Sequence, residues 1–193
     1  MRKVVKFGGS SLANAAQFRK VGEIIREDQT RRYVVPSAPG KRYINDTKVT
    51  DMLYHCYELA EKGKKFLPLL NEIKARYEEI IDGLRLELSL DKEFEVIAEQ
   101  FLKKAGKDYA ASRGEYLNGI VMSRYLGVTF IDAAEVIFFD KNGNLDLETT
   151  EEVLAKRLEN ANRAVIPGFY GMGADGKIRT FSRGGSDITG SIV

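Results

Sequence analysis

The sequence predicts an α/β fold around a mainly parallel sheet, and three observations carry that prediction. A β-branched and aromatic run at residues 3–7 ends at Gly8-Gly9 and gives way to Leu12, Ala15, Ala16, Phe18, Val21, Ile24 and Ile25, largely at helical spacing. A second short strand, Tyr33-Val34-Val35, follows, so the chain opens as strand, helix, strand. The alternation then recurs, because a helix candidate over Glu115 to Leu126 passes through Gly127 into the buried-strand pattern Val128-Thr129-Phe130-Ile131.

Between these anchors the elements follow in order. Pro36-Ser37-Ala38-Pro39-Gly40 stops the second strand, and a long polar loop leads to a helix carrying Leu53, Cys56, Tyr57 and Ala60. Residues 64 to about 105 are rich in helix formers, with Leu69, Leu70, Ile73, Tyr77, Ile80, Ile81 and Leu84, then Phe94, Ile97, Ala98 and Phe101, as apolar stripes. With the helix that follows they predict a helical subregion at about 64–126. Val136 to Phe139 reads as a strand. Thr149 and Glu152 have capping-box spacing and predict the start of a helix bearing Val153, Leu154 and Leu158. Ala164-Val165-Ile166 reads as a strand, followed by the loop Pro167-Gly168-Phe169-Tyr170-Gly171, a hairpin around Asp175-Gly176 and a strand from Ile178 to Phe181. Ser186 to Val193 reads as the first turns of a helix. A parallel crossover needs a dozen or more residues, so the expectation is an incomplete domain spanning 1–193.

Composition narrows the function classes. The 193 residues, 44% of them hydrophobic, suffice for a sizeable core. With 30 basic and 28 acidic residues and a net charge of +2, no nucleic-acid or anionic membrane partner is expected. One cysteine, Cys56, and one histidine, His55, leave no intrachain disulfide and too few soft ligands for a structural zinc site. His55 beside Cys56 in a helix is expected to be structural or exposed, and Glu61-Lys62-Gly63-Lys64-Lys65 a solvated helix end. Neither a signal-peptide core nor an apolar stretch of membrane-spanning length is present, so a soluble cytoplasmic protein is the expectation.

Two glycine motifs can carry chemistry. In Lys6-Phe7-Gly8-Gly9-Ser10-Ser11 a strand ends in two glycines just before a helix, a geometry in which backbone N–H groups approach an anion closely and Lys6 adds a point charge. The same pattern also suits a plain tight turn with a solvated lysine. In Ser182-Arg183-Gly184-Gly185-Ser186-Asp187 the pattern repeats, with Arg183 offering a planar fork for a carboxylate and Ser186 or Asp187 a helix N-cap. Strand C-termini of an open parallel sheet share one edge, which predicts that both loops face one crevice. Ser112-Arg113-Gly114-Glu115 is expected just before a helix, where Glu115 would either complement the dipole or recognise a substrate ammonium. Ser37 and Thr50 add strand-end hydroxyls. The sequence contains neither G-x-x-x-x-G-K-[ST] nor G-x-G-x-x-G, and it has no H-R-D or D-F-G set.

Taken in order, Lys-Phe-Gly-Gly-Ser-Ser at 6–11, Val-Val-Pro-Ser-Ala-Pro-Gly at 34–40, Thr50-Asp51, Ser112-x-Gly114-Glu115, Pro-Gly-Phe-Tyr-Gly at 167–171 and Ser-Arg-Gly-Gly-Ser-Asp at 182–187 resemble the motifs of the amino-acid kinase superfamily and, within it, of the aspartate kinases. The resemblance covers essentially the whole chain. It implies a three-layer α/β/α sandwich, and transfer of the ATP γ-phosphoryl group to the side-chain carboxylate of L-aspartate, with Mg²⁺, at the entry to lysine, threonine and methionine synthesis. It further implies that Lys6 holds the transferring group and Asp187 orients catalytic groups. Arg183 would pair with the substrate α-carboxylate and Glu115 with its ammonium. Ser37, Thr50 and Phe169 would complete the aspartate pocket. Gly8, Gly9 and Ser10, with Gly184, Gly185 and Ser186, would contact phosphate.

A carboxylate nucleophile with a free pKa of about 3.9 is already ionised at neutral pH, so the chemistry needs charge neutralisation rather than a general base. The near absence of histidine fits that need. Pro36 departs from the small or hydrophobic residue expected before Ser37, and the 40–48 loop is long. In that family the kinase domain continues with its nucleotide-base wall and with ACT regulatory domains. These 193 residues alone are therefore expected to be catalytically weak or inactive, and the full-length parent to be a homo-oligomer. Two other readings stand beside this one: another amino-acid kinase of glutamate type, or a non-catalytic module binding an anion or a partner chain.

Overall fold

The computed structural model describes residues 2–182 and 184–193. Four strands form a parallel sheet in the order β1, β2, β5, β3: β1 is Lys3–Phe7, β2 Arg31–Pro36, β5 Ala164–Val165 and β3 Thr129–Phe130. Side-chain alternation along these strands builds the layers. Val5, Phe7, Val34 and Val165 face a core shared with helices α1 (Ala15–Glu27), α2 (Val49–Glu61), α3 (Leu67–Gly83), α4 (Asp91–Leu102) and α5 (Lys107–Leu126). Val4, Tyr33, Ala164 and Ile166 face a second core on the opposite side, with α6 (Ala133–Val136), α7 (Leu147–Glu159) and the end of α8 (Gly185–Ile192). The result is a three-layer α/β/α sandwich. A smaller sheet, β4 (Phe138–Phe139), β6 (Tyr170–Gly173) and β7 (Ile178–Thr180), flanks it. Its β6–β7 pair is the expected hairpin, with Gly176 at φ 73°.

Five local expectations are corrected. The Ser112–Glu115 motif does not precede a helix. It lies in the middle of α5, which starts at Lys107, so Glu115 is well inside its own helix and complementing that helix's dipole does not explain it. Gly114 marks no turn there: a Cβ at that position would come within 2.8 Å of Ala38 Cβ, so the small residue lets α5 approach the second strand-end loop. The helix expected at Thr149 begins at Leu147, because Asp146 is the cap and accepts both the Thr149 amide (3.1 Å) and the Thr149 hydroxyl (2.8 Å). The expected strand at Val136–Phe139 is split, because Asp132 caps the short helix α6 by accepting the Ala134 amide, leaving only Phe138–Phe139 extended.

The last two corrections concern α8. Its N-cap is Gly184, in the left-handed region at φ 59°, and neither Ser186 nor Asp187 caps it. The loop before α8 follows β7, which runs antiparallel to β6 in the small sheet. The two glycine loops therefore do not sit on strands of one parallel sheet. They meet because α8 packs back against β1 and β2.

Candidate functional site

β1 delivers Lys6 and Gly8-Gly9 to the C-terminal edge of the main sheet, and a single 3₁₀ turn, Gly9–Leu12, follows. β2 ends beside it, with the Ser37 amide donating to Phe7 O (3.0 Å) and the Gly40 amide to Gly9 O (2.8 Å). The backbones at Gly9 and Gly40 are in direct contact: a Cβ on Gly9 would lie 2.7 Å from Ala38 O, and one on Gly40 would lie 2.6 Å from Gly9 C. From the other side, α8 brings Asp187 Oδ1 to 2.9 Å from Lys6 Nζ, and Ser186 Oγ to 3.1 Å from Ser37 Oγ.

Beside this junction lies a cavity of about 500 Å³, bounded by Gly9, Ser10, Ser37 and Gly40, by Lys41, Lys48 and Thr50, and by Glu115. Glu115 is the unusual group. It is buried, its Oε2 has no hydrogen-bond partner, and burial pushes its carboxyl up to about 8, offset only in part by the nearby Ala38 amide. A buried acceptor without a partner is costly, and such a group is suited to a ligand that donates to it.

The sequence-derived residues therefore gather unevenly. Gly9, Ser10, Ser37, Thr50 and Glu115 border the cavity; Lys6, Ser186 and Asp187 do not line it, but Ser186 bonds to Ser37 of its wall and Asp187 pairs with Lys6. Gly8 precedes the 3₁₀ turn in extended conformation at φ −74°. Phe169 does not border the cavity. It is half-buried, its ring packs over Gly185, and its amide donates to Thr189 Oγ1 (3.1 Å). Its φ of 84° is a strained conformation for a non-glycine residue, held by that bond and by the Phe181 amide donating to Phe169 O (2.9 Å). Arg183 lies outside the described residues. His55 is exposed, and residues 61–65 form an exposed helix end, both as expected. Among the described residues no group of three or more His, Cys, Asp or Glu could hold a metal ion, and no helix is long and apolar enough to cross a membrane.

Several residues at the site are given no role by the sequence motifs. Asn118, one turn beyond Glu115 and buried, donates from Nδ2 to Ser37 O (2.7 Å) and so holds the second strand-end loop. Arg113 is buried among the rings of Tyr116 (4.4 Å), Tyr109 (4.6 Å) and Tyr170 (5.3 Å) and donates to Ser112 Oγ, which anchors α5 against β6 through cation–π contact. Lys41 and Lys48 add positive charge to the cavity wall.

Comparison with known proteins adds four findings. Residues 1–193 match the Amino acid kinase family. Aspartokinase 3 of Bacillus subtilis (strain 168) is 38% identical over 210 residues, an alignment that takes in 99% of this chain and 45% of that protein. Among solved structures, the aspartate kinase of Clostridium acetobutylicum superimposes with a TM-score of 0.96 at 49% identity, covering 100% of this chain and 45% of the other. E. coli aspartokinase III in complex with aspartate and ADP superimposes at 0.81 and 25% identity, over 100% of this chain and 46% of that one. The chain thus spans about half the length of the relatives it matches.

Proposed function

The chain belongs to the amino acid kinase family, and from that premise we propose that the protein transfers the γ-phosphoryl group of ATP to the side-chain carboxylate of L-aspartate, giving 4-phospho-L-aspartate and ADP. The observation that carries the reading is Glu115, a buried carboxyl with a free acceptor atom on a cavity whose other polar side chains are hydroxyls and lysines. An α-ammonium group supplies the donors that Oε2 lacks, and Ser37 and Thr50 supply polar contacts to the rest of an amino acid. We assign Arg183 to the substrate α-carboxylate; Phe169 lies off the cavity, packed over Gly185 at the start of α8.

In the transfer itself, one oxygen of the substrate carboxylate bonds to the γ-phosphorus as the bond from that phosphorus to the β-phosphate oxygen breaks, and ADP carries that electron pair away. No base is needed, because the nucleophile is already ionised. The barrier is the approach of two anions, and Lys6, the backbone N–H groups of Gly8 to Ser10 and the start of α8 at Gly184 to Ser186 lower it. Asp187, 2.9 Å from Lys6, orients the ammonium. The donor set suits a Mg²⁺ ion that arrives on the triphosphate better than one caged by protein: among the described residues no three-ligand cluster exists, and Asp187 is an exposed carboxylate at the rim able to hold such an ion. Bound there, Mg²⁺ would neutralise phosphate charge. The reading also places the protein in the cytoplasm, as a homo-oligomer at the entry to lysine, threonine and methionine synthesis.

The test uses the full-length protein. Phosphoryl transfer is expected with L-aspartate, weakly with L-glutamate and not with N-acetyl-aspartate. Glu115 adds a proton-linked signature. Its carboxyl titrates near 8 in the folded protein against a reference value of 4.5. Its contribution to stability is therefore full below about 4.5 and lost as pH rises through about 8. At pH 7 the group is mostly protonated, and a bound ammonium drives it to ionise. Aspartate binding should then release about one proton at pH 7, read by calorimetry in buffers of different ionisation enthalpy. Glu115→Gln should abolish that release and weaken aspartate binding about tenfold or more. Proton-neutral binding by the wild type, or unchanged affinity in Glu115→Gln, would remove Glu115 from the site.

A further inference from the structure

The loop from Lys41 to Asn45 stands in solvent, with Ile44 at 91% exposure, yet both of its ends build the cavity: Gly40 and Lys41 on one side, Lys48 and Thr50 on the other. What holds those ends together comes from another part of the chain. Arg76, on α3, is only 5% exposed, and its guanidinium donates from Nη1 to Thr47 O (2.6 Å) and from Nη2 to Gly40 O (2.8 Å). Nη2 also lies 3.4 Å from Asp46 Oδ2, and Asp46 in turn accepts the amide (2.9 Å), Nε (2.9 Å) and Nη2 (3.2 Å) of Arg42. Arg42 reaches back to Glu79 on α3 (3.0 Å).

We propose that Arg76 is a positioning residue that clamps the neck of the 40–48 loop and so fixes the wall of the amino-acid and phosphate site. A planar fork is required, because the two carbonyls it bridges are seven residues apart in sequence and must be held at once. A lysine ammonium is a point donor on a flexible stem and cannot reproduce that spacing. The clamp acts on the phosphate turn through one further bond, since the same Gly40 that gives its carbonyl to Arg76 gives its amide to Gly9 O at 2.8 Å. It acts on Thr50 through the amide of Val49, which donates to Pro39 O at 3.2 Å. The helical subregion thereby supports a site to which α3 contributes no reacting group. The kinetic consequence rests on the phosphoryl-transfer reading above; the clamp itself does not.

The test therefore has two arms in the full-length protein. Hydrogen exchange, followed at the amides of Gly40 and Val49, should quicken about tenfold or more in Arg76→Met, while the interior amides of α5 keep wild-type rates. Arg76→Lys, which can satisfy one carbonyl at a time, should fall between, and it decides the question if Arg76→Met does not fold. In steady-state assays Arg76→Met should raise the KM for aspartate about tenfold while kcat stays within about threefold, with Arg76→Lys partly restoring KM. Wild-type exchange at Gly40 and Val49 in both variants would overturn the clamp. Faster exchange with an unchanged KM would overturn its role in the site. A wild-type protein that phosphorylates no amino-acid carboxylate would defeat the functional reading, and the exchange arm would still decide the clamp.

Discussion

At Gly9 the missing side chain makes room for another backbone, whereas at Gly184 it permits a backbone shape that other residues adopt only under strain. The first turn is locked: Gly9 and Gly40 touch main chain to main chain, and the two strand ends are joined by the Ser37–Phe7 and Gly40–Gly9 bonds. The second turn is open. Among the described residues a Cβ on Gly184 would meet, beyond its chain neighbours, nothing nearer than Asp187 Oδ2 at 4.0 Å, but its φ of 59° lies in the left-handed region. One glycine turn is thus built by packing and the other by torsion, and the Lys6–Asp187 ion pair joins them across the gap. Chemically the pair is asymmetric, because the cation comes from the locked side.

The largest effect expected from that asymmetry is on rate. Lys6→Met should lower kcat about 10²-fold or more with aspartate and ATP saturating, since a cation aimed at developing phosphoryl charge acts chiefly in the transition state. The stability change should stay within about 1 kcal/mol, because Asp187 is 70% exposed and an exposed pair contributes little. Chemical denaturation and initial rates on the same preparation separate the two. A kcat within threefold of wild type would show that the locked turn holds phosphate without its lysine.

Much of this architecture was legible in sequence, and the failures share a cause. Strand positions could be read because period-2 burial is a local pattern: Tyr33 and Val34 point to different cores on the two sides of one sheet. The start of α5 could not be read, because the helix is buried nearly all round and carries no amphipathic stripe, while Gly114 imitates a turn signal. Thr149 does not cap the helix because Asp146, three residues earlier, already does, accepting the Thr149 amide and hydroxyl inside the first turn. At the site, Lys6 and Glu115 stand out in the sequence as charged groups beside glycines, and Ser37 and Thr50 as hydroxyls within motifs. Arg76 and Asn118 do not, because their partners are the backbone carbonyls of Gly40, Thr47 and Ser37, and every residue has a carbonyl. No residue-type pattern encodes such a bond.

The next largest effect tests the locked turn as packing. Gly9→Ala places a methyl 2.7 Å from Ala38 O and 3.0 Å from Gly40 N, both main-chain atoms that cannot rotate away. The cost should be about 1–3 kcal/mol by urea denaturation, as for overpacking in a core. Because relief requires the Pro39–Gly40 segment to move, the variant should also raise the KM for aspartate. A destabilisation with no kinetic change would detach the Gly9–Gly40 contact from the site.

The smallest effect separates torsion from space. Gly184→Ala has room for its methyl, so its cost should be that of the left-handed conformation alone, about 1 kcal/mol. Gly184→Asn should recover part of it, since Asn tolerates that region through local hydrogen bonding. Gly8→Ala is the matched control: its φ of −74° and ψ of 165° are open to any residue, and its nearest neighbour is Lys6 Nζ at 3.9 Å, so stability should change by less than about 0.5 kcal/mol. The order Gly9→Ala, Gly184→Ala, Gly8→Ala in denaturation midpoint follows from close contact, torsion and neither. If Gly184→Asn fared no better than Gly184→Ala, the second turn would owe its glycine to something other than backbone shape, and the contrast between the two turns would fail.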